Sequence, residues 1–175
     1  CPVVEDLDAG RRVDSCGVRP TAGRTAGDYL KANRHRAVIE QVKSGFNDYA
    51  TAQDLAAEKR ILDAIRQRFP TDAILSEEAH TELSAGERLW IVDPLDGTRN
   101  YAHGLDHLAL SIAIQHALQM ESIVIYIPCN NEMFSAQRSH GAFLNDRLLS
   151  LSSSGPRSLA ASIVATGFSY YHGAE

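Results

Sequence analysis

Five short runs of apolar and β-branched residues, at 73–75, 89–92, 108–114, 123–127 and 133–136, lie between polar turns and follow one well-marked helix. Runs of this length and composition read as half-buried or buried strands. The preceding helix is signalled by Thr51-Ala-Gln-Asp54, which has the spacing of a capping box, and by Leu55, Leu62, Ile65 and Phe69, which share one helical face before Pro70. The last three runs are neighbours joined by short turns, which implies antiparallel pairing. Gly141-Ala-Phe-Leu-Asn-Asp146 suits a tight hairpin, because Asn and Asp tolerate positive φ. The fold class expected is α/β, an α+β layered sandwich with a largely antiparallel sheet.

Toward the N-terminus, Gly10, Gly17, Pro20, Gly23 and Gly27 interrupt any helical period, so residues 1–27 are expected to be a loosely structured segment ahead of an α+β domain at 28–175. Residues 28–42, with Leu30, Val38, Ile39 and Val42, are compatible with a mostly exposed helix. Residues 150–158 read as a Ser-rich loop. Seventeen Lys+Arg against 22 Asp+Glu give a net charge of -5, which argues against electrostatic partnership with nucleic acid or an anionic membrane. Any phosphate bound must therefore be captured locally, with a cation's help. No apolar run approaches the roughly 20 residues of a membrane span, and the first residues lack a signal pattern. Cys1, Cys16 and Cys129 have no paired spacing, so a reducing cytoplasm is expected.

The first two apolar runs both end at acidic residues: one at Ser76-Glu77-Glu78, the other at Asp93-Pro-Leu-Asp-Gly-Thr98. Pro94 fixes φ and removes an amide donor, which can leave the Leu95 carbonyl pointing outward. Asp93, that carbonyl and Asp96 then offer hard oxygens to one cation, in the small number that Mg²⁺ accepts when water and phosphate complete its octahedron. Gly97 permits close backbone approach, and Thr98 adds an amide and a hydroxyl toward an anion. Each piece also has a plainer reading: Asp-Pro and Asp-Gly are common turn dipeptides, Asp96 can be a helix cap, Glu77-Glu78 a solvated turn, and Asp54 the last member of its capping box.

Taken in order, Lys43-Ser44, Thr51-Ala-Gln-Asp54, Glu77-Glu78, Asp93-Pro-Leu-Asp-Gly-Thr98 and Asn100-Tyr101 resemble the inositol monophosphatase family of Mg²⁺-dependent, lithium-sensitive sugar phosphatases. The Gly141-Ala-Phe hairpin and Ala165-Thr-Gly-Phe168 resemble stretches of its bacterial members, so the likeness spans residues 43–168. It implies the αβαβα sugar-phosphatase fold and hydrolysis of inositol 1-phosphate or a similar small polyol phosphate. By position, Glu77, Asp93 and the Leu95 carbonyl would hold a first Mg²⁺, Asp93 and Asp96 a second, and Asp54 would lie at a weaker third site. Glu77 and Thr98 would orient the attacking water, while Asp96 and the Gly97 and Thr98 amides would meet the substrate. A homodimer is implied, and some bacterial relatives bind transcription antitermination factors.

Departures from the family pattern carry expectations of their own. Ser76 stands for a usual Gly and Ala79 for a usual Ser, both small-for-small changes. Arg99 replaces a usual Thr and favours the alternative that 3′-phosphoadenosine 5′-phosphate is the substrate, whereas Asn100-Tyr101 matches the inositol-phosphate branch. The family's long first helix is not expected here. Its later Trp-Asp motif has no counterpart, Trp90 being the single tryptophan, so the chain is expected to be C-terminally incomplete and, alone, inactive or nearly so. His103 and His107 share an i, i+4 spacing, but Gly104 and Asp106 lie between them and they read as loop histidines. Cys129, with no basic neighbour in sequence, reads as inert.

Overall fold

The computed structural model describes residues 12–42, 49–78, 88–150 and 158–164. Helix α1 (Arg12–Asn33) and a 3₁₀ turn (Arg34–Arg36) lead to β1 (Ile39–Val42), which pairs antiparallel with β2 (Tyr49–Thr51). Helix α2 (Ala52–Arg68) follows, then β3 (Ala73–Ser76), β4 (Arg88–Asp96) and the short helix α3 (Thr98–Ala102). A meander completes the order: β5 (Ala109–His116), β6 (Gln119–Ile127), β7 (Glu132–Gln137), β8 (Gly141–Leu144) and β9 (Arg147–Leu148). Strands β3 to β9 form one seven-stranded sheet in chain order. Its first pair is parallel and every later pair antiparallel, so the expected mixed α/β class with a largely antiparallel sheet is what the chain adopts.

Alternation along the strands sorts the sheet into two faces. Trp90, Val92, Leu110, Ile112, Ile114, Val124 and Tyr126 are buried on the face that α1 and α2 cover. Leu30, Ile61 and Ile65 meet them from the helices in one core. Trp90 stacks at 5.4 Å from Phe69 and donates from Nε1 to Asp72 Oδ2 at 2.8 Å, so the indole is buried with its one polar atom satisfied. Leu89, Ile91, Ile123, Ile125 and Phe134 alternate with that set and are half-buried on the other face.

Residues 12–27 correct the expectation of a loose N-terminal segment: they belong to a 22-residue helix that runs unbroken past the boundary expected at 28. Gly23 and Gly27 are sites of contact and do not break the helix. A Cβ at Gly23 would lie 3.3 Å from Leu110, and one at Gly27 would lie 2.4 Å from Tyr126. Bare backbone at these two positions therefore lets α1 lie close on β5 and β6. Conversely, the expected helix over 28–42 ends at Asn33. Residues 39–42 are a strand, because β2 offers a partner and Ala52 N donates to Val38 O at 2.9 Å.

At the far end of the sheet, Asn145 and Asp146 take φ of 47° and 67°, the left-handed pair that the hairpin requires. Among the described residues no helix is long and apolar enough to cross a membrane. Lys43-Ser44, Ala79, Ala165-Thr-Gly-Phe168, residues 1–11 and most of the Ser-rich loop lie outside the described residues.

Candidate metal and phosphate site

Parallel pairing of β3 with β4 brings the two acidic strand ends together. Ser76 lies opposite Val92, and the next amide, that of Glu77, donates to the Val92 carbonyl at 3.2 Å. Glu77 thus emerges beside Asp93, although 16 positions separate them in the chain. Asp93 is pushed up to about 7, first by burial, then by the charge of Glu77 and a hydrogen bond shared with it, then by the charge of Asp96. The Leu95 amide, donating to Asp93 Oδ1 at 3.1 Å, acts the other way.

Beyond Asp93 the ladder slips. Asp93 pairs with Ser111 and Asp96 with Ala109, three steps along β4 against two along β5, so one extra residue bulges out at Pro94-Leu95. Proline is tolerated inside this central strand because the bulge asks for no amide there. The bulge turns the strand so that Asp96 is exposed and Gly97 can cap α3 with φ of +91°. A Cβ on Gly97 would lie 2.8 Å from the His107 carbonyl, so both the turn and the close approach demand glycine.

Thr98, the first residue of α3, reaches across to α2. Its Oγ1 lies 2.8 Å from Asp54 Oδ1 and 3.1 Å from the Leu95 carbonyl, so its proton is held by acceptors on both sides. Asp54 is 1% exposed and completes the expected capping box: Thr51 N donates to its Oδ2 at 2.9 Å, as does the Thr51 hydroxyl. Burial raises the Asp54 pKa, and the hydrogen bonds from Thr51 and Thr98 oppose that rise. The capping reading of Asp54 thus holds, and the carboxylate's second oxygen accepts from Thr98.

Glu58 was not among the residues singled out from sequence. It sits four residues after Asp54 on the buried stripe of α2, and its Oε1 accepts from the Ser76 hydroxyl and, at 3.2 Å, from the Glu78 amide. A carboxylate flanked by Ala57, Ile61 and Leu62 on a helix's inner face was the signal that could have found it.

Other motif residues act as supports. Asn100 Nδ2 donates to the His107 carbonyl at 2.7 Å, and buried Tyr101 donates to the Leu30 carbonyl at 3.0 Å. Arg99, His103 and His107 are exposed. A cleft of about 410 Å³ opens beside Asp96 and Gly97, lined also by Asn100, His107 and Asn130. Cys129 does have a basic neighbour, Arg34, which pairs with Asp106 at 3.0 Å. Its thiol pKa is nonetheless raised, by burial first and Asp106 next, which agrees with an inert cysteine.

Among the described residues no group of three or more His, Cys, Asp or Glu side chains forms a ready-made metal cage. The donor set nonetheless suits Mg²⁺, which is held through one or two carboxylates plus water and phosphate. The charges of Glu77 and Asp96 both act on Asp93, an arrangement that a divalent cation would relieve.

The sequence profile of the inositol monophosphatase family matches residues 16–175. The chain is 41% identical over 151 residues to the Nus factor SuhB of Haemophilus influenzae, covering 85% of this chain and 56% of that protein. Among solved structures, the extragenic suppressor protein suhB of Bartonella henselae superposes with a TM-score of 0.75 at 33% identity, over 80% of this chain and 55% of that one. The Thermotoga maritima IMPase gives 0.72 at 34% identity, over 82% of this chain and 55% of that one. The chain thus spans about half the length of these relatives. With its sheet order, its acidic strand ends and these likenesses, the chain belongs to the inositol monophosphatase family.

Proposed function

We propose that this chain carries the metal and phosphate site of a Mg²⁺-dependent phosphomonoesterase acting on inositol 1-phosphate or a similar small polyol phosphate. The observation that carries the reading is the meeting of Glu77 with Asp93 across parallel strands, one short bulge away from Thr98. Glu77, Asp93, the Leu95 carbonyl and Asp96 would hold Mg²⁺, with Asp54 nearby at a weaker site. When bound, the cation supplies charge neutralisation at the phosphoryl group, activation of water and stabilisation of the leaving oxygen.

The chain's own residues do the rest. Thr98 donates its hydroxyl hydrogen bond toward Asp54 and the Leu95 carbonyl, which leaves lone pairs on the Thr98 oxygen to accept from water. Glu77 supplies a second acceptor, and a water held by both is oriented with a lone pair toward phosphorus. The Gly97 and Thr98 amides and Asp96 are assigned to the substrate, whose polyol portion fits the adjoining cleft. Measuring phosphate release from inositol 1-phosphate by the purified protein, with and without Mg²⁺, tests this. Turnover that is indifferent to Mg²⁺, or no Mg²⁺ binding at all, would refute it.

A second reading draws on the relative named a Nus factor. On it the chain binds transcription antitermination factors whatever the state of the site, and Asp93→Asn leaves that binding unchanged. A homodimer, lithium inhibition and a cytoplasmic setting are proposed on the family likeness, with sedimentation, a lithium titration and fractionation as their checks.

A further inference from the structure

Glu58 is 6% exposed and lies in the second turn of α2, facing the end of β3. A buried carboxylate is costly unless donors surround it, and two donors from one loop converge on its Oε1: the Ser76 hydroxyl and the Glu78 amide. These donors flank Glu77 on either side. The amide of Glu77 itself is held by Val92 at 3.2 Å, so three successive residues are tied, Ser76 by its hydroxyl and Glu77 and Glu78 by their amides. One turn earlier on the same helix, Asp54 holds Thr98. Helix α2 therefore sets the spacing between the strand end that presents Glu77 and the turn that presents Thr98.

We propose that Glu58 is a positioning residue which fixes Glu77 for cation binding through hydrogen bonds to Ser76 and Glu78. The inference rests on the reading of Glu77 as a metal ligand. Glu58 acts through these two hydrogen bonds, both accepted by one oxygen. An uncharged acceptor of the same shape should then serve nearly as well. Partners that orient metal ligands typically carry 10- to 100-fold in metal affinity.

The test is Mn²⁺ binding to the full chain, read as loss of the free-ion electron paramagnetic resonance signal, with folding followed by circular dichroism. Glu58→Ala is expected to weaken Mn²⁺ binding about 10- to 100-fold. Ser76→Ala, which removes one anchor of two, should weaken it by about one third to one half as much on a logarithmic scale, and Glu58→Gln should stay within about threefold of wild type. A purely architectural Glu58 would lower the melting temperature and leave the Mn²⁺ affinity untouched, and that result overturns the proposal. Should Glu58→Ala fail to fold, Ser76→Ala decides: unchanged affinity there is equally fatal. Glu58→Gln binding as poorly as Glu58→Ala would refute the hydrogen-bond basis. If wild type itself binds no Mn²⁺, the metal reading fails and takes this inference with it, whereas wild-type binding with unaffected variants sinks the inference alone.

Discussion

Asp93→Asn should make the metal-free protein more stable at pH 8 while removing its response to Mg²⁺. The carboxyl group sits at about 7 in the folded protein against an ordinary 3.8. Between those values the folded state holds a proton that the unfolded state has released, so metal-free stability falls as pH rises through that window. Fully above it the difference corresponds to about 4 kcal/mol. The carboxylate is only half-buried, so about half, ~2 kcal/mol, is the expected gain from neutralisation. Asparagine keeps an oxygen for the Leu95 amide, which donates at 3.1 Å in the native turn. For a chain of this size ~2 kcal/mol is a rise in Tm of roughly 4–8 °C. Melts in EDTA at pH 8 should show it, and at pH 5 the gain should shrink by more than half. Mg²⁺ at about 100 times its Kd should stabilise wild type by ~2.7 kcal/mol and the mutant not at all. A mutant less stable than wild type in EDTA at pH 8, or one with an undiminished Mg²⁺ response, would refute the reasoning.

Gly97→Ala should cost at least ~1–2 kcal/mol in a urea melt, since φ is +91° and the new Cβ would meet the His107 carbonyl, and phosphate release should fall with it. Thr98→Val, nearly isosteric, removes the proton given to Asp54. Introduced into a longer, active form of the protein, it should lower kcat for inositol 1-phosphate about 10²–10³-fold with KM within a few fold, and an unchanged kcat would remove Thr98 from the water-orienting role. Arg99→Thr should leave inositol 1-phosphate turnover within a few fold, as expected of an exposed side chain beside the site. A selective ten- to hundredfold loss on 3′-phosphoadenosine 5′-phosphate would instead move the chain to the nucleotide branch, because a charge-assisted contact to a second phosphate is of about 1.5–3 kcal/mol.

The strands, the capped helix and the Asn145-Asp146 hairpin were legible because each is set by residues a few positions apart. The same locality misled at the N-terminus. Gly23 and Gly27 look like helix breakers until Leu110 and Tyr126, about a hundred residues away, are laid against them. Likewise, Glu77 and Asp93 were each visible as the acidic end of a strand, but only the parallel register of β3 on β4 makes them neighbours. Glu58 stayed hidden for a related reason: its place among Ala57, Ile61 and Leu62 marks it as buried, but its partners Ser76 and Glu78 are 18 and 20 residues on.

Three carboxylates gathered at one sheet end in a chain of net charge -5 raise the question of what holds them together. Two like charges ~4 Å apart repel by about 1 kcal/mol in water and about 4 kcal/mol at an effective dielectric of 20. The fold supplies one part of the answer through the β3–β4 ladder, the bulge at Pro94-Leu95 and the anchoring of the Glu77 loop by α2. The raised pKa of Asp93 supplies the other, since a protonated Asp93 carries no charge. A proton on Asp93 and a bound cation would compete for the same oxygens, so Mg²⁺ binding is expected to tighten as pH rises through about 7. On the proposed reading, a cation held by Glu77, Asp93 and Asp96 would displace that proton and offset the charge that Asp96 presents to a phosphate ester.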